Sequence, residues 1–139
     1  MDSHHASQKW RAEPLTGSLS GPIKDITESL TDNAKLWVYM AKDKKLHGTL
    51  GLAWIGTFCK TNSKGYQASI NEKRDNVLTT AEIVTHEIGH YINMLHDFDK
   101  EHKGKGCDGT GFMNYGTHPY EWSECSKNDF LALYRVRAK

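Results

Sequence analysis

The sequence predicts an α/β (α+β) domain. Three short β-type segments gather between residues 35 and 70, and two helical patterns follow, separated by a long glycine-containing span. At 139 residues the chain is one domain's worth, enough to bury a single modest core.

Taken in order, residues 1–19 read as a flexible arm, with His4 and His5 as ordinary terminal histidines, and residues 20–139 as the folded domain. "SGPIKDITESL" suits a short helix, with Pro22 at its first position and Ile23, Ile26 and Leu30 on one face. Residues 31–34, "TDNA", read as a turn. "KLWVYM" (35–40) is a strand of β-branched and aromatic type, and "GTLGLAWIGTFC" (48–59) a second, with Gly51 compatible with an edge or bulge. "NSKG" (62–65) is turn chemistry and "YQASI" (66–70) a third strand. Thr79 or Thr80 can cap a helix running to about Tyr91, with Glu82 near its positive end. Ser126 can cap "KNDFLALYRV", in which Phe130, Leu133 and Tyr134 make an apolar stripe. The irregular span between these helices, residues 99–124, is of a length usually found where a loop is functional or tied down.

Composition narrows the partners. Eighteen basic residues against 17 acidic ones leave a net charge of +1, which gives no support for nucleic acid or an anionic membrane. The longest apolar run, "LWVYMA", is far too short to span a bilayer, and "MDSHHASQKW" lacks the apolar middle of a signal peptide. Cys59, Cys107 and Cys125 contain no CxxC pair, so a zinc knuckle is not indicated. If two of them pair, one thiol is left over.

The chemistry concentrates in "THEIGHYINMLHDF" (85–98). On a helix His86 and His90 lie one turn apart on one face, so two imidazoles can meet one metal ion. Glu87 stands beside them, placed to take a proton from a metal-bound water. HExxH alone also occurs by chance on solvated helices, so the next residues decide. Had the helix continued, His96 would lie about 9 Å further along the axis. Asn93 sits midway, and asparagine accepts a left-handed backbone, so a helix end there can turn the chain and return His96 as a third ligand. Three protein ligands and an open fourth position make the hydrolytic zinc pattern. His47, His102 and His118 have no partner spacing, and surface positions are the default for them.

At this point the chain resembles the metzincin metallopeptidases, whose signature HExxHxxGxxH is followed by a methionine turn. Here the string is "HEIGHYINMLH", with Asn93 at the glycine position, and Met113 in "TGFMNYG" matches the methionine turn. Within metzincins it is most similar to the adamalysin (reprolysin, ADAM-like) branch of venom and cell-surface proteases. Asp97 follows the third histidine as in that branch, and "TDNAKL", "TLGLAWIGTFC" and "WSECSKNDF" resemble its flanking segments. The resemblance runs from about Leu30 to the end. The family has several strands and helices before that segment, so the expectation is a domain without part of the family's amino-terminal region.

The resemblance implies a small mixed sheet with an edge substrate-binding strand, an active-site helix, the methionine turn and a C-terminal helix. It implies one catalytic zinc on His86, His90 and His96, with Glu87 as general base. Peptide substrate would pair along the edge at Gly51, Leu52, Ala53 and Trp54, with His118 walling the pocket. Tyr115 resembles the tyrosine that astacins and serralysins use as an extra metal ligand, the alternative being a tyrosine packed in the turn. A Cys59–Cys125 disulfide with Cys107 left over is implied, as is a calcium site with partial counterparts in Asp32, Asn128 and the Cys125 carbonyl. The functional expectation is a secreted, monomeric zinc metalloendopeptidase acting on protein or peptide substrates. The rivals are a zinc-containing binding module that does not cut, and a metal-free helix that histidines merely decorate.

Overall fold

A computed structural model describes residues 36–41, 49–59 and 68–137. The arm at 1–19, the helix expected after Pro22, the turns at 31–34 and 62–65, and Asp32 lie outside the described residues.

Among the described residues, β1 (Trp37–Ala41), β2 (Gly51–Ala53) and β3 (Ala68–Glu72) form one sheet in the order β1-β3-β2. β3 is parallel to β1 and antiparallel to β2, which makes the sheet mixed and puts β2 at its edge. Every residue of β3 is buried, and Ile70 is fully enclosed. The strand runs on past Ile70 to Glu72 because its polar residues find partners there. Asn71 Nδ2 donates to the Tyr39 carbonyl at 3.2 Å and to Ser69 Oγ at 3.0 Å, and Glu72 pairs with Arg74 at 3.3 Å. β2 is much shorter than the twelve-residue segment expected. After Ala53 the chain leaves the sheet and docks on the end of the next helix. Gly56, at φ +67°, donates its N–H to the His90 carbonyl, and Phe58 donates to the Tyr91 carbonyl.

Helix α1 spans Val77–Tyr91. Its cap is Asn76, whose side-chain oxygen accepts from the N–H groups of Leu78 and Thr79 at 2.9 and 3.2 Å. Thr79 and Thr80 therefore lie inside the first turns, and Thr80 Oγ1 instead meets the Arg74 backbone. Ile83, Glu87, His90 and Tyr91 share the buried face, which packs on β3 and β2. Helix α2 spans Glu124–Arg137 and starts earlier than expected. Ser123 caps it, its Oγ accepting the Ser126 N–H at 3.0 Å, which places Ser126 within the helix, fully buried. Phe130 of the expected stripe joins an aromatic cluster with Phe58 and Tyr134, at ring separations of 6.5 and 5.8 Å.

The span between the helices contains a short 3-10 turn, Lys100–His102, and is tied down by a disulfide. The bond joins Cys107 to Cys125, not Cys59 to Cys125. Cys107 and Cys125 are both buried with Cα atoms 6.1 Å apart, an ordinary disulfide span, whereas Cys59 is exposed and unpaired at the end of the turn after β2. The crosslink thus staples the long loop to α2 and leaves the edge strand out.

Candidate metal centre

The end of α1 builds the site. Asn93 adopts φ 83°, its N–H bonds the His90 carbonyl at 2.9 Å, and the Met94 N–H bonds the Gly89 carbonyl at 2.9 Å. This pair of bonds with a left-handed residue is the Schellman stop, here closed by asparagine. The turn reverses the chain and returns His96 toward the helix. It also orients a ligand, since His90 Nδ1 donates to the Met94 carbonyl at 2.8 Å.

Each imidazole has its Nδ1 side held and its Nε2 side aimed inward. His86 Nδ1 donates to the Phe112 carbonyl at 2.7 Å, and His96 Nδ1 faces the Asp99 carboxylate at 3.6 Å. One ligating atom from each of His86, His90 and His96 lies within 4.8 Å of the others, and the His90 and His96 Nε2 atoms are 3.2 Å apart. Two nitrogens on one tetrahedral zinc, each at 2.0–2.1 Å, would sit about 3.3 Å apart, so this separation fits. Burial pushes the His86 and His90 pKa values down to about 4 and lowers that of His96, keeping the rings neutral with lone pairs available. Among the described residues this is the one cluster of three or more His, Cys, Asp or Glu side chains with metal-ligand spacing.

Glu87 lies on the buried face beside the triad. Burial raises its pKa to about 8, and its Oε2 is enclosed without a protein partner, an orphan that a cation or its water would satisfy. Gly51 of β2 packs directly on this carboxyl, and a Cβ built there would stand 2.5 Å from Oε1. Tyr115, 69% exposed, places its hydroxyl 3.2 Å from His96 Nε2. Met113 is fully buried under α1, against Gly89, where any side chain would collide with its sulfur.

Asp97 fastens this floor to α2. Its N–H donates to the Met113 carbonyl at 3.0 Å, and its carboxylate accepts from Asn114 Nδ2 at 2.7 Å, Ser123 Oγ and Ser126 Oγ. Over the triad opens a cleft of about 580 Å³ whose walls include Gly51, Leu52, Glu87, Phe112, Tyr115 and His118. Ala53 is buried and, like Trp54, is not part of that wall. His118 is half-buried in the cleft, and its ring meets Phe112 edge-on at 5.6 Å. His102, expected at the surface, is only 3% exposed. No spacing in the sequence announced it, because one partner is a backbone carbonyl, that of His96, and the other, Asp129, lies 27 residues further on. Asn128 is exposed on α2, and its expected calcium partner Asp32 is outside the described residues.

The sequence profile described as metallo-peptidase family M12 matches residues 2–128, starting well before Leu30. The chain belongs to that family, as an adamalysin-like metzincin. Membership implies a metal-dependent peptidase scaffold, and the three-histidine cluster is able to hold the metal. Relatives include the mouse (Mus musculus) protein "A disintegrin and metalloproteinase with thrombospondin motifs 10", 38% identical over 63% of this chain and 8% of its own length. The human (Homo sapiens) "A disintegrin and metalloproteinase with thrombospondin motifs 6" is 32% identical over 95% of this chain and 13% of its own. "Venom metalloproteinase 2" of Eulophus pennicornis is 36% identical over 66% of this chain and 20% of its own. The chain therefore spans a small fraction of the length of these relatives. Among the described residues no helix is long and apolar enough to cross a membrane.

Proposed function

We propose that this chain is a zinc-dependent endopeptidase that hydrolyses internal peptide bonds of protein substrates. The observation that carries the reading is the convergence of His86, His90 and His96 on one point with the buried carboxyl of Glu87 on the same helix face. Three neutral imidazoles suit zinc. When bound there, zinc supplies the Lewis acidity that lowers a water's pKa toward neutrality and polarises the scissile carbonyl.

The protein's own groups do the rest. Glu87 takes the proton of the attacking water and hands it to the leaving amine. The bonds that His86 and His90 donate to the Phe112 and Met94 carbonyls, and the Asp99 carboxylate facing His96, keep the three rings turned inward. The free edge of β2 in the described sheet offers backbone N–H and C=O groups to an extended peptide, with Gly51 and Leu52 on the cleft side, Ala53 ending the strand, Trp54 just beyond it, and His118 on the cleft wall. We assign the Tyr115 hydroxyl as an additional, weaker ligand on the strength of its approach to His96 Nε2. The Cys107–Cys125 disulfide supports an extracellular setting, and we take the working form to be a monomer.

Zinc analysis of the purified protein, joined to digestion of casein or gelatin with and without a chelator, tests the assignment. It predicts about one zinc per chain and cleavage that chelation abolishes. Zinc without cleavage would favour the non-cutting binding module, and no zinc would exclude both.

A further inference from the structure

We infer that buried His102 and half-buried Asp129 form a clamp that positions the third ligand, His96, from helix α2. The inference rests on the metal reading above. His86 and His90 sit on α1, where the helix itself fixes their backbone. His96 has no such support, because it follows the helix stop in an irregular turn, so its backbone must be held by outside partners.

Those partners are specific. His102, buried to 3% exposure, donates Nδ1–H to the His96 carbonyl at 2.8 Å, and its Nε2 faces the Asp129 carboxylate at 3.1 Å. The same carboxylate accepts the Leu95 N–H at 3.0 Å, and the Asp129 carbonyl accepts Asn93 Nδ2 at 2.9 Å. Asp129 therefore holds the turn at residues 93 and 95 directly and at His96 through His102. The Asn93 bond is one that glycine at this position could not make. The other end of His96 is held by its N–H donating to Asp99 Oδ2 at 3.0 Å. The His96 carbonyl also accepts the Asp99 N–H at 3.0 Å, a bond within the turn itself. Loss of His102 would therefore leave the ring its Asp99 contact and this local bond but remove the tie to α2 that aims Nε2 at His86 and His90. His102 and Asp129 are thus positioning residues, remote from substrate.

The test is cobalt(II) titration of the full chain, followed by the visible spectrum of the bound metal and by thermal unfolding. His102→Phe, which keeps a ring but removes both bonds, is expected to bind cobalt about 10- to 100-fold more weakly and with an altered spectrum. His102→Asn, whose amide can still donate to the His96 carbonyl, is expected to recover part of that loss. If His102→Phe does not fold, Asp129→Ala decides, with the same expected weakening. Tyr134→Ala serves as the control. It loosens α2 at the Phe130 contact without touching the turn, and is expected to lower the melting temperature while leaving cobalt affinity at the wild-type value. Wild-type affinity and spectrum in the decisive variant, or equal weakening in Tyr134→Ala, would overturn the clamp. A wild-type protein that takes up no cobalt would overturn the metal reading, and the clamp with it.

Discussion

Gly51→Ala separates the proposed general base, Glu87, from the metal ligands. The added methyl would stand 2.5 Å from Glu87 Oε1, 2.7 Å from Cγ and 2.8 Å from Cδ. Ordinary contact begins at 3.4 Å, so the carboxyl must retreat by 3.4 − 2.5 = 0.9 Å. Glu87 is a flexible side chain and can yield, whereas the three imidazoles are not touched. A misplacement of about 1 Å in a reacting group can lower a rate roughly 100-fold, and that is the fall in kcat expected here. Stability should change little: crowding costs about 1 kcal/mol, and replacing glycine by alanine returns about 0.5 kcal/mol through the unfolded chain. The assay is steady-state cleavage of a quenched fluorescent peptide, with zinc measured on the same sample. A defect in edge pairing would instead raise KM, so the expected signature is lower kcat with zinc retained. Wild-type kcat with full zinc would refute the contact between Gly51 and the working position of Glu87.

Three further outcomes follow from the same geometry. Asn93→Val forces a β-branched residue to φ 83° and removes the bond to Asp129, so urea unfolding should show a loss of about 2 kcal/mol or more, while Asn93→Gly should stay within about 1 kcal/mol of wild type. Cys107→Ser opens a loop of 18 residues and should remove about 3 kcal/mol, read as a melting temperature roughly 10 °C lower, whereas Cys59→Ser should leave it unchanged. Tyr115→Phe should weaken metal binding by no more than about tenfold and shift the cobalt spectrum, because three imidazoles remain.

The parts of this site that were legible in the sequence are those set by local geometry. His86, Glu87 and His90 follow from helical spacing, and the turn at Asn93 follows from the few residues that accept a positive φ. The three strand segments were readable from residue type and both helices from periodicity and capping residues, whereas the mixed sheet followed only from the family resemblance. What escaped depends on contacts between distant segments. Cys107 pairs with Cys125 because the loop folds back over α2, which the three cysteine positions alone do not encode. The caps moved to Asn76 and Ser123 because competing serines and threonines nearby were drawn to other partners or into the helix. β2 ended at Ala53 because the carbonyls at the end of α1 capture Gly56 and Phe58. His102 looked like a surface histidine until Asp129, 27 residues on, was placed against it.

In the proposed mechanism Glu87 moves the proton while the three histidines hold the metal. Glu87→Ala, measured for zinc content and for cleavage of one peptide substrate, tests it most directly. The variant is expected to carry about one zinc per chain, as the wild type does, with peptide hydrolysis lost. Cleavage by Glu87→Ala as fast as by the wild type would contradict that mechanism.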